Sequence, residues 1–180
     1  MKGFAIAGGV GLLANAHVVV AARDLSPGNA LTADDIRLEN WLVPTVPDGS
    51  QSDVGSVVGS TLAGPARRGE VLTDVRLLGR RLAESSAGPD ARIVPLHPAD
   101  SALVDVVRPG DVVDVVAAPE NDSHANPHVV ATDAIVVSVS AKPKAAGATN
   151  DRVVLVALPA TSANVVAGAA LTQTVTLTLH

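Results

Sequence analysis

The stretch "VVVAARDLSPGNALTADDIRLENW" (18–41) decides the fold, because a later stretch, "RRGEVLTDVRL" (67–77), repeats its central phrase. Each copy has a Gly, then two residues, then Leu-Thr, and each closes on Asp, a β-branched residue, Arg and Leu. The shared positions are Gly28, Leu31, Thr32 and Asp35 in the first copy, and Gly69, Leu72, Thr73 and Asp74 in the second. A phrase written twice within one small segment points first to architecture.

Turn and cap chemistry explains the residue types within the phrase. Pro27-Gly28 suits a type II turn, because glycine accepts the positive φ that such a turn needs. Thr32 precedes Asp35 by three residues, which predicts a capping-box-like start of one helical turn. Thr73 occupies the same place in the second copy. We therefore expect Gly28 and Gly69 to hold turns, and Thr32 and Thr73 to cap helical turns.

A weaker echo, "RPGDVVDVV" (108–116), places Gly110 41 residues after Gly69, which itself follows Gly28 by 41 residues. This third stretch lacks Leu-Thr, and the sequence between Gly28 and Gly69 differs from that between Gly69 and Gly110. We interpret it as convergent turn chemistry in which Pro109 and Gly110 make the turn and Asp111 closes it. Asp114 is expected to pair with a backbone group or an Arg neighbour.

The composition restricts the function. The chain has 180 residues, 47% of them hydrophobic and 1% aromatic, with a net charge of −5 and no Cys. A protein that tracks nucleic-acid phosphates needs a basic surface, and single-strand or sugar binding relies on aromatic stacking. The absence of Cys excludes disulfides, thiolate chemistry and Cys-ligated zinc. No nucleic-acid partner is expected.

The N-terminal residues resemble a targeting segment. Lys2 is a minimal positive region, Phe4 to Leu13 are apolar, and Ala14-Asn15-Ala16 fits an A-x-A cleavage motif. The apolar run is shorter than the roughly twenty residues of a membrane span. We expect residues 1–16 to be a signal peptide or a short anchor, with membrane anchoring through residues 4–22 as an option. Either predicts an extracytoplasmic location in the cell envelope.

After residue 16, the chain is predicted to begin with a mainly β domain, which is followed by a small α+β domain. Residues 17–79 form the first domain, residues 80–91 a Pro/Gly-containing linker, and residues 92–180 the second domain. The expected strands are 17–22, 57–65, 111–118, 128–140, 152–159 and 174–179, with a helix over 160–171 and a helix or turn over 97–107. The stretch 92–96 follows the linker and is not assigned to an element.

For the residues that could carry out chemistry, a structural role is favoured over a catalytic or metal-binding role. His124 and His128 have the i, i+4 spacing of two metal ligands, but Pro127 makes the segment a loop, and a solvated loop is favoured over a metal site. Asp111 and Asp114 are three apart on a β run, so their side chains face opposite ways and cannot form an acid/base dyad. No nucleophile elbow, P-loop or catalytic triad is visible. We expect no catalytic residue, no cofactor and no metal.

The phrase in 18–41 closely resembles the opening of SAF domains, a β-clip module, and in particular that of the CpaB/RcpC family of Flp (tight adherence) pilus assembly proteins. The matching residues are Ala22-Arg23-Asp24-Leu25, Pro27-Gly28, Leu31-Thr32, Asp35, Trp41 and Pro44. The second copy resembles the end of the same module. The resemblance implies that the two copies are pseudo-symmetric halves of one β-clip spanning residues 17–79.

The resemblance extends into the second domain through "VRPGDVVDV" (107–115) and through the ending "RVVLVALPATSANVVAGAALTQTVTLTLH" (152–180). It implies a non-enzymatic, extracytoplasmic assembly or scaffolding factor that contacts secretin, pilin or cell-wall components. No catalytic residue of the family exists to carry over. Trp41 is a candidate contact residue for such a partner, although capping of the small β-clip core is the favoured role.

Three alternatives remain open at this stage. Flagellar P-ring chaperones also use SAF units and would share the compartment and fold. SAF-type sugar-acid dehydratases have an opening that His97-Pro98-Ala99-Asp100 echoes faintly, but their long catalytic domain has no counterpart here. A free-standing module that binds a small ligand is the third alternative, and the scarcity of aromatic residues weighs against a stacked sugar.

Overall fold

The computed structural model describes residues 14–119, 126–140 and 152–180. The strands are β1 (Asn15–Ala21), β2 (Ile36–Leu42), β3 (Arg92–Leu96), β4 (Val112–Pro119), β5 (His128–Val139), β6 (Val154–Leu158) and β7 (Gln173–Leu179). The α-helices are α1 (Val54–Val57), α2 (Arg80–Ala87), α3 (Leu103–Val106) and α4 (Ala160–Thr172). Short 3-10 helices cover Ala33–Asp35, Val43–Thr45 and Asp74–Arg76. The protein is thus a strand-rich mixture of α and β structure.

β1 is the centre of the first half of the fold. It pairs with β2 as an antiparallel ribbon, and Val20 also forms an isolated bridge with Val71. Because β1 has neighbours on both edges, Val18 to Ala21 are fully buried. The buried cluster around it consists of Val19, Ala21, Leu31, Ile36, Val57, Leu62, Ala66 and Leu72. Leu31 and Leu72, the matched leucines of the two copies, both belong to it.

The two copies have the same local backbone. Thr32 has φ −102° and ψ 167°, and Thr73 has φ −104° and ψ 165°, each directly before a three-residue 3-10 helix. This geometry aligns the copies without a gap, so Asp35 corresponds to Arg76. The sequence match of Asp35 to Asp74 was wrong, because it followed residue identity across a two-residue shift. Leu77 occupies the place of Ile36 beside the core.

Two elements of the first half differ from the sequence prediction. Residues 57–65, predicted as a strand, contain the end of α1 and then only isolated bridges, Ala30 to Thr61 and Leu62 to Leu77. Gly59, at φ +87°, turns the chain there and interrupts any regular strand. β2 was not predicted, because exposed Leu38 and Leu42 break the alternation of apolar and polar residues that marks a half-buried strand.

The second half is a five-stranded antiparallel sheet with the strand order β3-β6-β5-β4-β7. The sequence predictions for β4 to β7 and for α4 are confirmed to within a few residues. Pro95 lies in β3, which is an edge strand, where a missing N–H costs no ladder hydrogen bond. α4 packs on this sheet through Ala163, Val166 and Ala169. A second cluster of buried apolar residues, separate from the first, fills this half.

The segment predicted as a linker (80–91) contains α2. This helix contacts β3, β5 and β6 of the large sheet and also the 3-10 helix Asp74–Arg76. Ala83 is buried, and Arg81 Nε donates to Asp74 Oδ2 at 3.2 Å. α2 therefore touches both halves of the fold.

No helix within the described ranges is long and apolar enough to cross a membrane. The option of anchoring through residues 4–22 is wrong for its last part. Residues 15–21 form β1, and its residues 18–21 are buried in the protein core. Residues 1–13, including the predicted apolar segment, lie outside the described residues.

Candidate functional site

The repeated phrase folds around a buried carboxylate. Asp35 is only 6% exposed, and its Oδ2 accepts hydrogen bonds from Thr32 N (2.9 Å) and Thr32 Oγ1 (2.8 Å). Arg23 donates to the other oxygen through Nε at 2.8 Å and through its terminal NH2 group. The Thr32 amide, followed by the Thr32 hydroxyl and Arg23, lowers the pKa of Asp35 below its usual value. The predicted cap is therefore made by Asp35, and the Thr32 hydroxyl donates to it.

A second carboxylate joins the two copies to each other. Asp24 Oδ1 accepts from Arg68 N at 2.9 Å, and Asp24 Oδ2 accepts from Arg67 NH1 at 2.5 Å. The Arg68 amide and then the Arg67 side chain lower the pKa of Asp24. Backbone bonds between Leu25 and Ala66 in both directions close the same junction. Arg23-Asp24, two matching residues of the resemblance, thus hold the first copy against the turn of the second.

The same glycine turn occurs in the second copy and in the third echo. In Arg67–Glu70 the acidic side chain returns to Arg67 N at 3.1 Å, and in Arg108–Asp111 it returns to Arg108 N at 2.7 Å. The glycines have φ +85° (Gly69) and φ +98° (Gly110), which only glycine adopts without strain. The third echo therefore shares its turn with the second copy, and Asp111 closes it as predicted. Gly28, at φ +88°, makes a turn without an acidic residue.

Asp111 and Asp114 have separate partners, as their spacing predicts. Asp114 Oδ1 accepts from Asp133 N at 3.2 Å and lies 2.8 Å from His180 Nε2. His180 lowers the pKa of Asp114, and Asp114 raises the pKa of His180. A backbone partner of Asp114 was among the predictions, but its side-chain partner is a histidine, and no sequence pattern links His180 to Asp114. Asp133 itself has φ +56° at an irregularity in the pairing of β4 with β5.

Cavities surround the loop of the first copy. One of about 200 Å³ is lined by Arg23, Asp24 and Asp35, and another of about 370 Å³ by Asp24, Pro65 and Arg67. Both share the segment Asp24-Leu25-Ser26. Because these walls carry the residues of the resemblance, we call this surface, formed by residues 23–31 and 65–67, the loop surface.

A third cavity, of about 380 Å³, lies where the two halves of the fold meet. Its walls include Pro27 and Pro65 from the first half and Pro109, Asp105 and Arg152 from the second. The Arg152 side chain is 9% exposed, forms an ion pair with Asp105 and donates to Ser140 O at 3.2 Å. We call this cavity the junction groove. Sequence reasoning missed Arg152, since a single Arg at the start of an apolar strand carries no motif.

A fourth cavity, of about 740 Å³, lies between α2, β3 and the first turn of α4. Arg80 and Arg92 line it, together with Asp90. Arg80 Nε donates to Glu84 at 2.6 Å, and Arg92 donates to Asn164 at 3.0 Å. The charged groups of this cavity are thus engaged with neighbouring protein groups.

Trp41 does not cap the β-clip core as favoured from the sequence. It is half-buried on β2 opposite Ala16, outside the buried cluster of that half and outside the side chains packed on it. Its indole Nε1 donates to Glu39 Oε2 at 3.0 Å, and this bond, with that from Arg37, lowers the pKa of Glu39. The core is complete without an aromatic ring because leucines and valines fill it.

The histidines do not assemble a metal site within the described part of the chain, where no group of three or more potential ligands occurs. His128 is exposed at the start of β5, and His124 lies outside the described residues. His97 is exposed beside α4 and β7, in a cavity of about 300 Å³. Asp100 Oδ1 accepts from Ala102 N at 2.8 Å and so serves the turn before α3.

Comparison with known proteins identifies one family. The SAF domain family matches residues 16–78, while no curated protein sequence matches the chain. Among solved structures, the chain is similar to the crystal structure of the flagellar protein FlgA from Thermotoga maritima MSB8, at 22% identity and a TM-score of 0.35. That match covers 69% of this chain and 34% of the flagellar protein, so this chain spans well under half of that protein's length.

The matched segment coincides with the structural features described above. It begins within β1, contains both copies of the phrase, and ends directly after the 3-10 helix of the second copy. Residues 16–78 therefore form the SAF domain of this chain.

Proposed function

We propose that the chain is a non-enzymatic assembly or scaffolding factor of the cell envelope, which acts by binding other proteins through the loop surface and the junction groove. Function resides in sites and not in the fold, so the argument depends on what the surface residues can do. Both surfaces carry charged and proline side chains that a protein partner can contact.

The observation that carries the proposal is that three acidic side chains are engaged in hydrogen bonds with neighbouring protein groups. Asp24, Asp35 and Asp114 each have a lowered pKa, because each accepts hydrogen bonds from amide, guanidinium or imidazole groups. Their bonds close turns and join strands. They favour a role in architecture over a role in turnover.

The resemblance described in the sequence analysis indicates which filament the chain helps to assemble. The phrases at 22–44 and 107–115 resemble those of the CpaB/RcpC proteins, which favours Flp-type pilus assembly with secretin, pilin or cell-wall partners. Flagellar assembly is the second candidate, because the chain has a SAF domain and the flagellar P-ring chaperones named among the alternatives above also use SAF units.

Deletion of the gene in the native host tests the proposal. We expect loss of a surface filament with unchanged growth on sugar acids, and restoration by the wild-type chain. Loss of pili supports the first client, and loss of flagella supports the second. Unchanged filaments together with a metabolic defect would contradict the proposal.

The compartment can be tested separately, because the chain has no Cys. A single Ser26→Cys variant places a thiol on the exposed loop surface. We expect a membrane-impermeant maleimide to label it once the outer barrier is opened, while the cytoplasm stays sealed. A cytosolic single-Cys protein serves as the control for leakage. Labelling of Ser26→Cys only after cell lysis would contradict an extracytoplasmic location.

A further inference from the structure

The end of the β1–β2 ribbon is an uncharged surface with exposed apolar side chains. From Asn40 to Pro47 the sequence "NWLVPTVP" carries no charge. Leu42 is 42% exposed and Val43 is 49% exposed, and Pro44 and Pro47 are exposed beside them. We call residues 14–16 and 40–47 the ribbon end. Clustered apolar side chains without interspersed charge mark a surface that is covered in use.

The path of the chain indicates what covers this surface. Val43 N donates to Ala14 O at 2.9 Å, so the first described residue lies at the ribbon end. The thirteen residues that precede it, "MKGFAIAGGVGLL", contain one charged residue, Lys2, and an apolar run from Phe4. In the sequence, the apolar run ends at Leu13, directly before Ala14, and Ala14 is hydrogen-bonded to the exposed residue Val43.

Along β2, the side chains change from charged to apolar towards the ribbon end. Arg37, Glu39 and Trp41 alternate on β2 and so face the same side of the ribbon. Arg37 and Trp41 both donate to Glu39, which draws the indole N–H towards the charged pair. Trp41 is half-buried and its indole N–H is bound to a charged group, and tryptophan with such a bound polar end and a partly exposed ring is typical of membrane–water interfaces.

The cleavage motif of the sequence lies inside this structure. Asn15 pairs with Leu42 and Ala16 pairs with Trp41 at the start of β1. Cleavage after Ala16 would remove both residues and the Ala14 bond to Val43. Retention of the segment keeps the ribbon complete, which favours an anchor over a cleaved signal.

We propose that the ribbon end rests on the lipid surface of a membrane, with Trp41, Leu42 and Val43 in contact with lipid. This inference rests on the proposed envelope location. A short apolar segment gives weak membrane binding by itself, and a second lipid contact from the folded protein strengthens it. The ribbon end supplies that second contact and fixes the orientation of the SAF domain relative to the membrane.

Trp41 is the single tryptophan of the chain, so its fluorescence reports on this contact without ambiguity. The full chain is mixed with phosphatidylcholine–phosphatidylglycerol vesicles whose acyl chains are brominated near the glycerol end. We expect the bound protein to lose Trp41 emission relative to unbrominated vesicles, and to be shielded from aqueous iodide.

The matched variants separate the ribbon end from other exposed apolar residues. Leu42→Asp with Val43→Asp should lower the vesicle partition coefficient by about tenfold or more, from the loss of two apolar side chains. Val165→Asp with Leu171→Asp, on the exposed side of α4, changes the charge equally and should leave partitioning unchanged. Equal urea unfolding midpoints for both variants show that the fold is intact.

The outcomes distinguish this inference from the proposals on which it rests. Vesicle binding with unquenched Trp41 would overturn the lipid contact while leaving the anchor in place. Unchanged partitioning of the Leu42→Asp, Val43→Asp variant would overturn it as well. A full chain that does not bind vesicles would overturn both the contact and the anchor, whereas the filament assay would still decide the assembly role.

Discussion

At the scale of single residues, the repeated phrase determines local turns and the hydrogen bonds that close them. A glycine at positive φ makes the turn, and an acidic side chain binds the backbone amide three residues before it in both Arg67–Glu70 and Arg108–Asp111. The sequence predicted these glycine turns because glycine alone adopts the conformation. It could not predict the partner of Arg23 or Asp24, because those bonds depend on where a distant strand returns.

Replacement of Asp35 should destabilise the fold. Asp35→Ala removes the acceptor of the Thr32 amide and of Arg23, and hydrogen bonds to a charged group predict a loss of about 2 kcal/mol in the free energy of unfolding. Asp34→Ala, in the same 3-10 helix but exposed, should change it little. Urea unfolding measures both. Equal losses would contradict the role assigned to Asp35.

The same carboxylate makes stability depend on pH. Because the folded pKa of Asp35 is lowered, its contribution is present above about pH 4 and is lost as the pH falls through the folded value. The difference in unfolding free energy between wild type and Asp35→Asn should therefore be constant near neutrality and shrink in acid. A difference that stays constant down to the lowest pH would show that the charge of Asp35 is not involved.

Gly69 provides a test of backbone conformation alone. At φ +85°, with no atom within 4 Å of a built Cβ, Gly69→Val should cost about 1–3 kcal/mol from strain without a steric clash. Gly79 has equally open surroundings but extended backbone (φ 165°), so Gly79→Val should cost much less. Urea unfolding of the two variants checks this, and a similar cost at both positions would contradict it.

His180 should titrate above the ordinary histidine pKa, because Asp114 favours its protonated form. The stabilisation from this pair is complete below about pH 6.5 and is lost as the pH rises through the raised value. In an NMR titration, Asp114→Asn should return the His180 pKa towards 6.5. An unchanged His180 pKa in that variant would show that Asp114 is not its partner.

At the scale of elements, hydrophobic periodicity predicted the large sheet well. β4 to β7 and α4 are long, apolar and bounded by turn residues, so the pattern and the structure agree. The first half was harder, because it is built from a short ribbon, isolated bridges and single helical turns. Neither the missed β2 nor the wrongly predicted strand at 57–65 has a periodic pattern, since tertiary contacts fix both.

α4 offers a test of element stability. Gly168 lies on its exposed side, with nothing within 4 Å of a built Cβ. Gly168→Ala should raise the free energy of unfolding by about 0.5–1 kcal/mol, because alanine has the higher helix propensity. Ala163→Gly, on the buried side, should lower it. A destabilised Gly168→Ala variant would contradict the described helix.

At the scale of the whole molecule, the SAF domain and the five-stranded sheet meet through α2 and the junction groove. The sequence predicted the SAF part from its phrase, and the match over residues 16–78 confirms that part. It did not predict the groove, because Pro27, Pro65 and Arg152 come from three separate segments. A candidate binding surface formed by distant residues appears only once the fold brings them together.

The central claim, that the chain works by binding a protein in the envelope, is tested most directly by photo-crosslinking in the native host. A photoreactive residue replaces Ser26 on the loop surface, and in a second strain it replaces Val165 on α4, where the side chain is also exposed. We predict one discrete envelope-protein adduct at position 26 and none at position 165, identified by mass spectrometry as a pilus or flagellar component. The absence of any adduct at position 26, with filaments assembled normally in the deletion strain, would contradict the account.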